Sequence, residues 1–238
     1  MLEAFKRVFE ENRTVLTVLE SKRVLEEQGF PVNKTVMIKN REELISVMKS
    51  NKLEYPLVAK IVSPEIVHKT DVGGVLLGLK NFNHTITSYD AMMESIKQKR
   101  PDATVEGIIL EEEIEKGYEL VIGSMTDPVF GPVLMFGLGG IFIEVLKDVV
   151  FRLIPLSEQD AQKMLVEIKA YHILDGIRGH PPVNKESLVQ LILKTSDFMY
   201  NHPEVKEMDL NPVFASEDGC KVVDARIILH DNKDSRDS

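Results

Sequence analysis

Cysteine is almost missing from this chain. Cys220 is the single one in 238 residues, which excludes an internal disulfide framework and a multi-cysteine metal site, and fits a reducing cytoplasm. Basic residues are in deficit, 29 Lys and Arg against 38 Asp and Glu, for a formal net charge of -9. A phosphate backbone needs a broad basic face, so a general nucleic-acid binder is excluded, while a small basic pocket for a nucleotide is not. No apolar run approaches the roughly 18 residues needed to cross a bilayer. The start, MLEAFKRVFEENRTVL, mixes apolar with charged residues and has no signal-peptide core. The expected location is cytoplasmic, with no membrane partner. Several motifs are missing as well. A dinucleotide fingerprint fails because Phe142 stands where the last glycine after Gly137 and Gly139 would be. Gly73 and Gly78 have P-loop spacing but are followed by Leu79, Lys80 and Asn81. There is no G-x-S-x-G and no H-E-x-x-H, and the six histidines are scattered, which speaks against zinc.

What is present is the balance of a folded protein, 43% hydrophobic and 28% charged, long enough for one large domain or two coupled lobes. Helical periodicity over 14–28 stops at Gly29 and Pro31. TVMIK (35–39), LVAKIV (57–62) and GVLLGLK (74–80) read as strands, with helices from Asn40 to about Ser50 and from Ser88 to Lys99. VEGIILEEEI, YELVIGSMTD, PVLMFGL and VVFRLIP follow at hairpin-like spacing, which favours an antiparallel sheet. Helices are expected after Ser157 and after Asn184. Two closing strands, VKEMDLNPVFAS and CKVVDARIIL, are joined by a turn at Glu217-Asp218-Gly219. The fold class is α+β, with a lobe boundary near 103–110.

Three features carry chemistry. In MDLNPV, Asp209 and Asn211 are two apart and share a strand face, and Pro212 should end that strand or put it on an edge. A hairpin would bring Asn211 beside Asp224 of VVDARI. An oxygen-only set of carboxylate and amide suits Mg2+ that keeps its waters and holds nucleotide phosphates; an ordinary polar turn is the other reading. In AKIVSPEIVHKTDVGGV, Lys60 sits in an apolar strand where a phosphate partner would explain it. His68 follows beside Lys69 and the pair Gly73-Gly74, whose backbone N–H groups can approach phosphate closely. A neutral imidazole there is a competent phosphoryl acceptor, and a plain loop histidine is the alternative. In EEEIEKGYELVIG and MFGLGGIFIEV, an acidic connection could face an adenine edge, Glu119 could take ribose hydroxyls, and the glycines at 137, 139 and 140 could line a phosphate path; an acidic loop and a hairpin turn are the bland reading.

Taken in order, these segments resemble an ATP-grasp nucleotide-binding module, and most of all the beta subunits of the archaeal ADP-forming acetyl-CoA synthetases. The resemblance covers about 14 to 230, and its most specific pieces are AKIVSPEIVHKTDVGGV, GPVLMFGLGGIFIEVLKDVVFRLIPL and EMDLNPV. It implies two α+β lobes with ATP or ADP held between them. The first lobe, 1–107, would carry an N-terminal helix, Lys60 and the His68 loop; the second, 108–230, would carry the antiparallel sheet and the Mg2+ site; 231–238 would be a polar tail. Lys60 would contact phosphates, Glu111, Glu112 and Glu113 would form the adenine hinge, and Glu119 would bind ribose. Gly139 and Gly140 would lie along the phosphates, with Arg152 a phosphate or carboxylate contact. Asn211 and Asp224 match the Mg2+ ligands of the related succinyl-CoA synthetase beta chain, and Asp209 matches a glutamate near its phosphohistidine. His68 matches the beta-chain histidine of the phosphoryl relay.

The implied reaction is acyl-CoA + ADP + phosphate ⇌ acid + CoA + ATP. This chain shows no CoA-binding Rossmann half, so the resemblance implies an obligate alpha subunit, in an α2β2 assembly. The alternatives are a self-sufficient ATP-grasp carboxylate ligase and a non-catalytic nucleotide-binding module.

Overall fold

The computed structural model describes the chain apart from residues 64, 67, 68, 115, 116, 141–146, 178, 180 and 232–238. It divides into two compact units, Asn33–Glu115 and the combination of Met1–Val32 with Lys116–Ser238. The chain opens on α1 (Glu3–Glu10), whose Phe5 and Val8 are buried at helical spacing. Next comes α2 (Val18–Glu27), which begins after its cap Thr17 and not at 14. The reason is a capping box: Glu20 N donates to Thr17 Oγ1 at 3.2 Å and Thr17 N to Glu20 Oε2 at 2.7 Å. The residues just before run along a strand instead, with Leu16 N donating to Ile227 O at 3.0 Å. Arg13 also grips Glu20, and that hydrogen bond holds the carboxyl down to about 2. Phe5, Val8, Val24 and Leu25 all join the core of the larger unit. The sequence boundaries grouped this N-terminal segment with the first lobe. The structure groups it with the second, because its apolar stripes are buried there.

The smaller unit holds β1 (Thr35–Ile38), α3 (Arg41–Lys49), β2 (Leu57–Val62), a 3-10 turn (Lys69–Val72), β3 (Val75–Leu79), α4 (Phe82–Lys99) and β4 (Gly107–Glu112). Its sheet has the order β1-β4-β2-β3, antiparallel throughout. α4 begins at Phe82, ahead of the expected Ser88, because the Asn81 side chain accepts His84 N at 3.0 Å. The β-branched residues of NFNHTITS hide this start from a periodicity reading. Leu57, Ala59 and Ile61 of β2 are buried with Leu44 of α3 and Ile96 of α4. Each large aliphatic side chain so buried contributes roughly 1.5–3 kcal/mol. Strand alternation then puts Val58 and Lys60 on the opposite face.

The larger unit continues with β5 (Tyr118–Asp127), β6 (Gly131–Leu138), β7 (Val149–Leu153), α5 (Glu158–Glu167), α6 (Lys185–Asn201), β8 (Val205–Ser216), β9 (Gly219–Val222) and β10 (Ala225–Leu229). Its sheet has the order β10-β8-β5-β6-β7, with β9 also on β8. These pairings are antiparallel, as the hairpin spacing predicts. Leu120, Ile122, Leu134, Phe136, Met208 and Leu210 form the core face with Leu188 and Ile192 of α6.

β8 corrects one expectation. Pro212 neither ends the strand nor lies on an edge, since β8 runs through it with β5 on one side and β10 then β9 on the other. The register against β5 slips between Leu120 and Ile122, so that Asn211 and Pro212 together face Val121. On the far side the partner changes from β10 at Leu210 to β9 at Val213. Proline is tolerated at such a bulge because no ladder donor is required of it.

Candidate active site

In the smaller unit, Lys60 Nζ lies 2.8 Å from Glu111 Oε2. The lysine that looked unexplained in its apolar strand thus has an internal partner. Glu111 is paired through its backbone to β1 and β2 together. Glu112 N donates to Lys34 O at 3.3 Å and Glu113 N to Pro56 O at 2.8 Å, so both N–H groups are committed inside the unit. The Glu112 carboxylate takes Glu54 N at 3.0 Å and faces Lys34, and that of Glu113 takes Gly78 N at 2.7 Å. His68 lies outside the described residues. After it, Gly73 N donates to Thr70 O and Gly74 N to Lys69 O, closing a tight turn that occupies the two glycine N–H groups.

In the larger unit, Glu119 and the glycine pair come together. Gly139 N donates to Glu119 O at 2.7 Å. A Cβ built on Gly139 would stand 3.0 Å from Glu119 Cγ, and one on Gly140 would stand 2.8 Å from Glu119 Oε2. Gly140 has φ +57, a left-handed conformation. The exposed Glu119 carboxylate therefore runs along bare backbone that only glycine leaves open.

At the β8 bulge, Asn211 N donates to Asp224 O at 3.1 Å and Val223 N to Pro212 O at 3.0 Å. This delivers the juxtaposition of Asn211 and Asp224 that the hairpin argument predicts. Asp224 Oδ1 accepts Ala225 N at 2.8 Å, which turns the carboxylate. Asp209, Asn211, Asp224 and Arg226 line one depression of about 390 Å³, together with Thr17. Burial pushes the Asp209 carboxyl above the ordinary range, with Glu207 and Asp224 adding to the rise and Arg226 opposing it. Among the described residues no group of three or more His, Cys, Asp or Glu is placed to hold a metal ion. A hard cation that keeps its waters fits what is there: oxygen donors at Asn211 and Asp224, with the Asp209 carboxyl lining the same depression.

Arg152 is placed elsewhere. Its guanidinium pairs with Glu167 of α5 and donates to Phe151 O. Lys22 was missed by the sequence reading. It is 3% exposed and its Nζ donates to Val223 O at 3.0 Å, tying α2 to the turn that presents Asp224. The available signal was its position three residues before buried Leu25, on the apolar side of the helix. Arg226 was equally readable, two residues past Asp224 and in register with Asp209.

The class follows from the ATP-grasp domain family, whose sequence model matches residues 7–229. The chain is 43% identical to acetate–CoA ligase (ADP-forming) I subunit beta of Pyrococcus furiosus, over 95% of this chain and 97% of that protein. It is 41% identical to acetate–CoA ligase (ADP-forming) I of Archaeoglobus fulgidus, over 87% of this chain and 30% of that longer protein. Acetyl-coenzyme A synthetase 1 of Ca. Korarchaeum cryptofilum, in complex with coenzyme A, Ca-AMPCP and HgCl+, matches with a TM-score of 0.85 at 42% identity, over 95% of this chain and 98% of that one. The same enzyme with coenzyme A and Mg-AMPPCP, its phosphohistidine segment pointing towards the nucleotide binding site, matches with a TM-score of 0.82 at 39% identity, over 96% of this chain and 99% of that one. The chain belongs to the ATP-grasp family and, within it, to the beta subunits of the ADP-forming acetate–CoA ligases. No helix among its described residues is long and apolar enough to cross a membrane.

Proposed function

We propose that this chain is the nucleotide-phosphorylating subunit of an enzyme that runs acetyl-CoA + ADP + phosphate ⇌ acetate + CoA + ATP. The observation that carries the reading is the β8 bulge, which sets Asn211 against Asp224 with Asp209 beside them. A partner alpha subunit, in an α2β2 assembly, would bind the CoA thioester and make the phosphoryl donor. His68 would take the phosphoryl group on a ring nitrogen and pass it to the terminal phosphate oxygen of ADP. The N–P bond breaks as the O–P bond forms, and the imidazole returns neutral. Phosphohistidine has a high transfer potential, so the exchange runs in either direction.

Asn211 and Asp224 would hold Mg2+, which when bound neutralises phosphate charge. The chain's own work is positioning. Lys60 offers an ammonium to phosphate oxygens, and Glu119 accepts ribose hydroxyls. Asp209, on the same strand face as Asn211, would supply a carboxylate beside the Mg2+ position for the phosphoryl transfer. The test is mass spectrometry of the chain after incubation with its alpha subunit, Mg2+ and ATP. A phosphoryl mass on the peptide carrying His68, lost on mild acid, is expected. An unmodified peptide in an assembly that still makes ATP would overturn the relay.

Gly140→Ala separates site from fold. The new Cβ meets the far end of a flexible side chain, so the carboxylate swings away and the core is not disturbed. A left-handed non-glycine adds about 1–2 kcal/mol of strain. The expected result is a small fall in melting temperature with about tenfold weaker ADP binding by calorimetry, the scale of one charge-assisted hydrogen bond.

A further inference from the structure

An ion pair stands on the face of the smaller unit's sheet opposite Leu57, Ala59 and Ile61, among apolar neighbours. Val75 and Ile109 flank Lys60 in register, and Val58 flanks Glu111. The Lys60 side chain is 32% exposed and the Glu111 side chain 4%. Thr35 Oγ1 adds a hydrogen bond to the other Glu111 oxygen at 3.4 Å. A carboxylate withdrawn from water in such a place adds little net stability even when paired, because desolvation offsets the Coulomb gain. Stability therefore does not account for a glutamate here.

Direction does. A lysine stem has four rotatable carbons and a point charge that wanders when untethered. Glu111 sits on a strand paired on both sides and presents a fixed acceptor. It takes one of the three Lys60 donors and leaves two to point outward from the partly open end of the pair. We infer that Glu111 is a positioning residue for Lys60, acting through its side chain and holding the ammonium where anionic oxygens of a nucleoside diphosphate arrive. This rests on the proposed role of Lys60 as a phosphate contact. It also gives Glu111 a task different from the adenine hinge.

The test is a double-mutant cycle on ADP affinity, measured by calorimetry with Lys60→Met, Glu111→Ala, the double variant and Glu111→Gln. Each single removal is expected to weaken ADP binding about tenfold, the scale of one charge-assisted hydrogen bond. In the Lys60→Met background, Glu111→Ala should add less than about twofold, because its effect passes through the lysine. Glu111→Gln keeps an acceptor at the same reach and should recover most of the affinity, which a loss of folding would not allow. Wild-type affinity in Glu111→Ala overturns the inference. So does an equal loss in both backgrounds, which would make Glu111 a direct nucleotide contact. Unchanged affinity in Lys60→Met overturns instead the phosphate role on which the inference stands.

Discussion

His68→Ala is expected to leave the assembled enzyme unable to make ATP from acetyl-CoA, ADP and phosphate. The loss should be on the order of 10⁴-fold or more, since a covalent relay with no acceptor nitrogen has no slower version of the same step. Two readouts isolate the relay. ADP affinity should stay within about twofold of the wild type, because the residues assigned to the nucleotide are untouched. Release of acetyl phosphate by the alpha subunit should persist, because that chemistry precedes the missing acceptor. His68→Gln, which keeps a polar side chain of similar reach, should be as inactive as the alanine variant, which separates nucleophile from hydrogen-bonding group. Normal turnover in either variant would remove His68 from the path and leave this chain as a nucleotide-binding platform for some other acceptor.

How much of this was legible in the sequence depends on how local the cause is. The meeting of Asn211 and Asp224 was readable because two strands joined by Glu217-Asp218-Gly219 have little choice of register. The passage of Pro212 through the sheet's interior was not readable. It depends on a bulge against β5, far away in sequence. Lys60 stood out as a charge in an apolar strand, but its partner Glu111 lies on β4, and only the strand order β1-β4-β2-β3 makes them neighbours. The start of α2 was written locally in the Thr17 and Glu20 capping box. That α1 and α2 belong with the larger unit was not, because their stripes are equally apolar whichever core receives them. Arg152 has a partner that was equally hidden. An arginine in a strand invites an anion, and here the anion is Glu167 of the next helix.

Asp224→Asn is the second variant from which a large effect is expected. The amide oxygen can still accept Ala225 N, so the turn and its contact with Asn211 should survive, along with the tie from Lys22 to Val223. What disappears is a full negative charge at the proposed Mg2+ position. A side chain that touches the metal matters at least as much as the groups that only orient such ligands, whose loss weakens metal binding by about 10–100-fold, so the half-saturating Mg2+ concentration should rise by about 100-fold. Mn2+, softer and more tolerant of an amide ligand, should restore part of the activity. A second consequence follows at Asp209. The Asp224 charge is one of the causes that lift the Asp209 carboxyl, behind burial and Glu207. With that charge gone, Asp209 should ionise at lower pH than in the wild type, and the acid limb of the activity profile should move downward in saturating Mg2+. Asn211→Asp adds charge beside the same group and should shift that limb upward. Equal Mg2+ requirements in the wild type and Asp224→Asn would show that the cation is held elsewhere. A limb that moves the same way in both variants would show that Asp209 does not feel this pair.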